Sequence, residues 1–195
     1  MTADDRKRRL RGRDLVLGET SSLVAFAQVG HAHTLLRWFE DTLWTVREVH
    51  DELVRNRGRF AATERVLKHL EQHGRVAALS GEGMAWVARM APYFRAPCDH
   101  GRKNVGELAT ARLASELIQA GRRPIVLVDD RLGVDLCRRF DAPVLATHQV
   151  VVEMVHAGAI SRFEGGRVWR GLKRGGPDYE RRIGPWPRPA THQAG

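Results

Sequence analysis

Residues 124–140 read PIVLVDDRLGVDLCRRF, and this stretch restricts the fold more than any other. Ile125, Val126, Leu127 and Val128 form an unbroken apolar run, mostly β-branched, that ends in two adjacent aspartates. Such a run predicts a strand buried on both faces, the habit of parallel sheets. A helical pattern starts at Arg131, directly after Asp129 and Asp130. The pair is therefore expected at the carboxyl end of a central strand, where open α/β sheets place their ligands.

The rest of the chain supplies matching units. Short apolar runs predict further strands over 15–17, 43–46, 76–79 and 144–146. Helical spacing predicts helices over 21–29, 34–40, 47–56, 61–73, 81–90, 104–120, 131–140 and 150–157, two of them stopped by Gly30 and Gly121. Strand and helix alternate five times, which implies an α/β fold with a parallel sheet covered by helices on both faces. Residues 92–103 read as a long loop. Three regions follow: a basic arm over 1–13, a domain over 14–160, and a Gly/Pro-rich basic tail over 161–195 with little periodicity.

Composition narrows the class. At 195 residues, 43% hydrophobic and 28% charged, the chain can bury the core of one domain, which excludes a disordered chain. A net charge of +9 favours polyanionic partners, nucleic acid first among them. No apolar run approaches membrane-spanning length, and no apolar segment follows the basic N-terminus as in a secretory signal. The expectation is a cytoplasmic protein with no membrane partner. Cys98 and Cys137 are too few for a disulfide framework and are expected to be reduced and inert.

Five acids fall where the topology would bring them together. Glu19 follows the first strand, Glu52 lies on the helix after the second, Glu107 opens the helix leading to the fourth, and Asp129 and Asp130 follow the fourth. If strands one and four are neighbours, Glu19 and the aspartates face each other across the crevice. Carboxylates held that close repel, and the usual remedy is a hard divalent cation with oxygen ligands, Mg²⁺ or Mn²⁺. That metal suits phosphodiester hydrolysis. Each acid also has a structural role open to it. Asn104 and Glu107 have capping-box spacing, either aspartate could cap the helix at Arg131, Glu52 could pair with Arg55, and Glu19 suits a helix N-terminus.

Weaker signals remain. Cys98 and His100 make a poor zinc site, and His31, His33, His148 and His156 lack ligand spacing on one element. Trp169, Tyr179 and Trp186 lie among basic residues and could stack on bases, but packing on the domain or a disordered tail is the preferred reading.

The stretches LVLGETSSLVAFAQVG, VREVHDEL, VGELATARLA and IVLVDDRLGVDLCRRFDAPVLATHQVVVEMVHAGAI together resemble the PIN-domain superfamily, and within it the VapC-like toxin ribonucleases. The resemblance spans residues 14–160. It implies a three-layer sandwich around a five-stranded parallel sheet, and a metal-dependent endoribonuclease binding Mg²⁺ or Mn²⁺. Glu19, Glu52, Glu107 and either Asp129 or Asp130 take the catalytic positions, with Glu19, Glu107 and one of Asp129 and Asp130 as metal ligands. RNA contacts are expected from Thr20, Ser21, Arg131, Arg167, Arg170, Lys173 and Arg174. The implied partners are RNA, an antitoxin protein and a second copy of the chain. One departure stands out: the family's first acid is Asp, and here it is Glu19, one methylene longer. The alternative reading is therefore a catalytically impaired PIN-like protein that binds nucleic acid or regulates.

Overall fold

The computed structural model describes residues 15–58, 62–94 and 104–174. Five strands form one all-parallel sheet: β1 (Leu15–Gly18), β2 (Leu43–Val46), β3 (Val76–Ala77), β4 (Pro124–Leu127) and β5 (Val144–Leu145). Their order is β3-β2-β1-β4-β5. The chain builds outward from β1 in one direction, then returns to its other side at β4. The strand order thus reverses between β1 and β4, which makes that pair the switch point of the sheet. Their register is Leu15 on Pro124, Val16 on Ile125, Leu17 on Val126 and Gly18 on Leu127. Every residue of both strands is buried, as the apolar run 125–128 requires.

The helices are α1 (Thr20–Gln28), α2 (Ala32–Phe39), α3 (Arg47–Arg55), α4 (Thr63–Gln72), α5 (Gly81–Met90), α6 (Val105–Gln119), α7 (Arg131–Arg139), α8 (Thr147–His156) and α9 (Arg162–Arg174). Two 3₁₀ turns, Glu40–Thr42 and Ala91–Phe94, punctuate them. Helix α6 packs on α3, α5, α7 and the strands β2 and β4; α1 gathers α2, α4, α8 and α9. The arrangement is α/β and consistent with the three-layer sandwich expected. Gly30 and Gly121 take φ of +77° and +74° just past α1 and α6, the left-handed stop that glycine permits.

Sequence-based bounds held to within three residues, since helices end where capping and packing cease rather than where periodicity fades. The tail reading needs correction. Residues 162–174 are not aperiodic but form α9, with Gly165, Val168, Trp169 and Leu172 buried at helical spacing on α8 and α1. Trp169 packs on the domain as preferred, edge-on to His148 at 5.7 Å. The basic arm, the segment with Cys98 and His100, and Tyr179 and Trp186 lie outside the described residues. Among the described residues, no helix is long and apolar enough to cross a membrane.

Candidate metal centre at the carboxyl edge of the sheet

Glu19, Glu107 and Asp130 converge where β1 and β4 end. One oxygen from each lies within 4.8 Å of the others, so the group could hold a metal ion. The three arrive on different elements: Glu19 directly after β1, Asp130 at the start of α7, and Glu107 in the first turn of α6.

Glu19 is almost wholly enclosed, at 2% exposure. Its backbone N–H donates to Leu127 O at 3.2 Å, which fixes it beside β4. The side chain folds back over the start of α1, accepting from Ser21 N at 3.1 Å and from Ser21 Oγ at 2.5 Å. This is where the extra methylene goes: the carboxylate reaches the centre while capping its own helix. Burial raises its pKa well above the ordinary glutamate range, Glu107 adds to the rise, the Ser21 hydroxyl opposes it, and Asp130 raises it further. A carboxylate under this strain suits a positive charge beside it.

The two aspartates have different fates. Asp130 caps α7, with Oδ1 accepting from Gly133 N at 2.7 Å. Its Oδ2 is buried and has no hydrogen-bond partner among the described residues. Gly133 makes room for it, since a Cβ there would sit 2.4 Å from Val128 Cγ2 and 2.8 Å from Asp130 Oδ2. Asp129 instead ties down the start of α8. Its Oδ1 accepts from Thr147 N at 2.8 Å, and its Oδ2 accepts from Thr147 Oγ1 and, at 3.1 Å, from Ser22 Oγ. Asp129 is thus outside the three-acid group. Each aspartate does cap a helix, but Asp129 caps the next one rather than α7.

Glu52 also stands outside the group. Its Oε2 accepts from Thr20 Oγ1 at 2.7 Å, which holds the N-terminus of α1, and a Cβ at Gly106 would come within 3.3 Å of it. The surface pair with Arg55 does not form; the Arg55 Nε donates to Asp51 O. The capping box proposed for Asn104 and Glu107 is absent as well. Asn104 takes φ of +68° and its side chain donates to Phe94 O, leaving Glu107 directed at the centre.

Three of the expected RNA contacts, Ser21, Arg167 and Arg170, line one open groove between α1 and α9. Thr20 is taken by Glu52, and Arg131 is exposed, 3.8 Å from Asp135. The side chains of Lys173 and Arg174 lie outside the described residues. His31 and Gln28 line the same groove and escaped the sequence reading. Their clue was position: both sit at the end of α1, whose first turn carries Ser21. Cys137 is buried, its thiol pushed up to about 12 by burial and then by Asp130 and Glu19, so it is an inert thiol.

Comparison of the chain with protein-family models, with curated proteins and with solved structures finds no match.

Proposed function

We propose that this chain is a metal-dependent endoribonuclease of PIN-like type, with Glu19, Glu107 and Asp130 holding Mg²⁺ or Mn²⁺. The observation that carries the reading is the buried, unpartnered Asp130 Oδ2 set against two further carboxylates at the switch point. Three oxygen donors and no sulfur or imidazole favour a hard cation. When bound, that ion supplies an activated water and charge neutralisation at the scissile phosphate.

The chain's own residues do the rest. Ser21 orients the Glu19 carboxylate through two hydrogen bonds. Gly133 N–H fixes the other oxygen of Asp130 and leaves Oδ2 aimed inward. Glu52 and Asp129 act behind the centre, holding the N-termini of α1 and α8 through Thr20 and Thr147. An antitoxin partner and self-association belong to the same reading and follow from the resemblance alone.

A second reading, a relative that binds nucleic acid without cleaving it, draws on the Glu19 side chain being engaged as a helix cap. Incubation of single-stranded and structured RNA with purified protein in Mn²⁺, Mg²⁺ or EDTA separates the two. The ribonuclease reading expects metal-dependent products that Glu107→Gln abolishes. Intact RNA in both metals, with RNA binding retained, sinks it in favour of the second.

A further inference from the structure

The groove between α1 and α9 has a volume of about 850 Å³ and reaches Ser21, whose hydroxyl donates to Glu19 of the acid centre. Arg167 and Arg170 form one side, His31 and Gln28 the other. Among the described residues, neither guanidinium takes part in an ion pair. Arg170 donates through Nε to Gly166 O at 3.2 Å. The acid that feels Arg167 is Glu164, one turn earlier, and it is engaged at the helix start by Ser161 N. Gly171 sets the width: a Cβ there would fall 2.6 Å from Val29 Cγ1, so α9 sits as close to α1 as backbone contact allows.

We propose that this groove is a strand-holding subsite that takes the phosphodiester backbone of single-stranded RNA leading away from the acid centre. The inference rests on the ribonuclease reading for its placement beside a scissile phosphate. Residues three apart on a helix stand roughly 5–6 Å from each other, so Arg167 and Arg170 meet successive charges of one extended chain. Guanidinium groups suit phosphate oxygens better than lysine would, since they present a planar fork of donors. No Phe, Tyr or Trp is among the groove's described lining residues. Stacking on the protein therefore contributes little, and the contact reads backbone rather than base.

Fluorescence anisotropy with short oligo-U and oligo-A in EDTA, across a salt series, isolates the groove from hydrolysis. The full chain, Arg167→Ala/Arg170→Ala and Arg167→Lys/Arg170→Lys are compared, with melting curves to verify folding. The alanine pair should weaken binding about tenfold and reduce the slope of log affinity against log salt by about 1.4, two single-strand phosphate contacts. The lysine pair should restore most of the slope, and oligo-U and oligo-A should bind alike. Unchanged affinity in a folded alanine pair overturns the subsite, as does equal displacement of RNA by poly-glutamate, which would assign the groove to an acidic protein. Groove-dependent binding without metal-dependent cleavage would instead remove the ribonuclease reading and leave the subsite standing.

Discussion

Two acid-rich regions of this molecule treat the same side chains in opposite ways. Around α4, α5 and α6, acids meet bases: Arg57 holds Glu64 at 2.7 Å, His50 meets Glu71 at 3.0 Å, and Arg112 lies 3.1 Å from Glu82 and 3.3 Å from Glu116. At the switch point of the sheet, Glu19, Glu107 and Asp130 are turned toward one another, and burial compounds the repulsion on Glu19. A surface that balances its charges stabilises itself slightly and does nothing else. Buried acids that oppose one another are relieved by a bound cation or by taking up a proton. The difference makes the second region, rather than the more numerous first, the one on which the proposed function rests.

The contrast can be broken hardest at the aspartate pair. Asp130→Asn keeps a good helix cap but loses a ligand, so metal-dependent cleavage should fall by more than about 100-fold, outer-shell changes alone costing 10–100-fold. Its melting temperature should no longer rise with added Mn²⁺. Asp129→Asn should do the reverse, lowering stability by about 0.5–2 kcal/mol through a weakened hold on Thr147 while the Mn²⁺ response persists. If both variants behave alike in cleavage and melting, the division between them is wrong.

Gly133→Ala comes next. The added methyl collides with Val128 and Asp130, and overpacking of this kind costs about 1–3 kcal/mol, readable as a drop in the urea midpoint at constant slope. A smaller effect concerns pH. The Glu19 carboxyl holds its proton in the folded state at pH values where the unfolded chain has lost it. Its contribution to stability is fully present below the unfolded value and is lost as pH rises through the raised folded value. Chelated protein should thus become less stable as pH rises above the ordinary glutamate range, and Glu19→Gln should flatten that decline in urea titrations. The smallest change belongs to the balanced region: Glu82→Ala should cost under about 1 kcal/mol and leave cleavage untouched.

Much of this was legible beforehand, for identifiable reasons. The run 125–128 read as a doubly buried strand and is one, but alternation alone left the adjacency of β1 and β4 as a condition, which the structure supplies. Glu19, Glu107 and Asp130 were legible because strand ends and helix starts are tied to pattern. Asp129 was not separable from Asp130, since both are good caps and the choice depends on Thr147, a contact that crosses the sheet. Helix α9 was missed because Gly165, Gly166 and Gly171 have poor helix propensity and masked the stripe of Val168, Trp169 and Leu172. Tertiary packing supplies what propensity lacks, and one of those glycines is there to let α9 approach Val29.

The dispersal of the three acids along the chain has a kinetic consequence. Glu19, Glu107 and Asp130 come together only after the crossovers that set β4 beside β1 are complete, so their convergence is a late event of high contact order. A cation bound among them stabilises the native state far more than the folding transition state. Its effect should fall on the unfolding limb of the chevron, slowing escape from the native state while the refolding limb stays where it was. The same three carboxylates that burden the bare fold would then act as the latch that sets its lifetime.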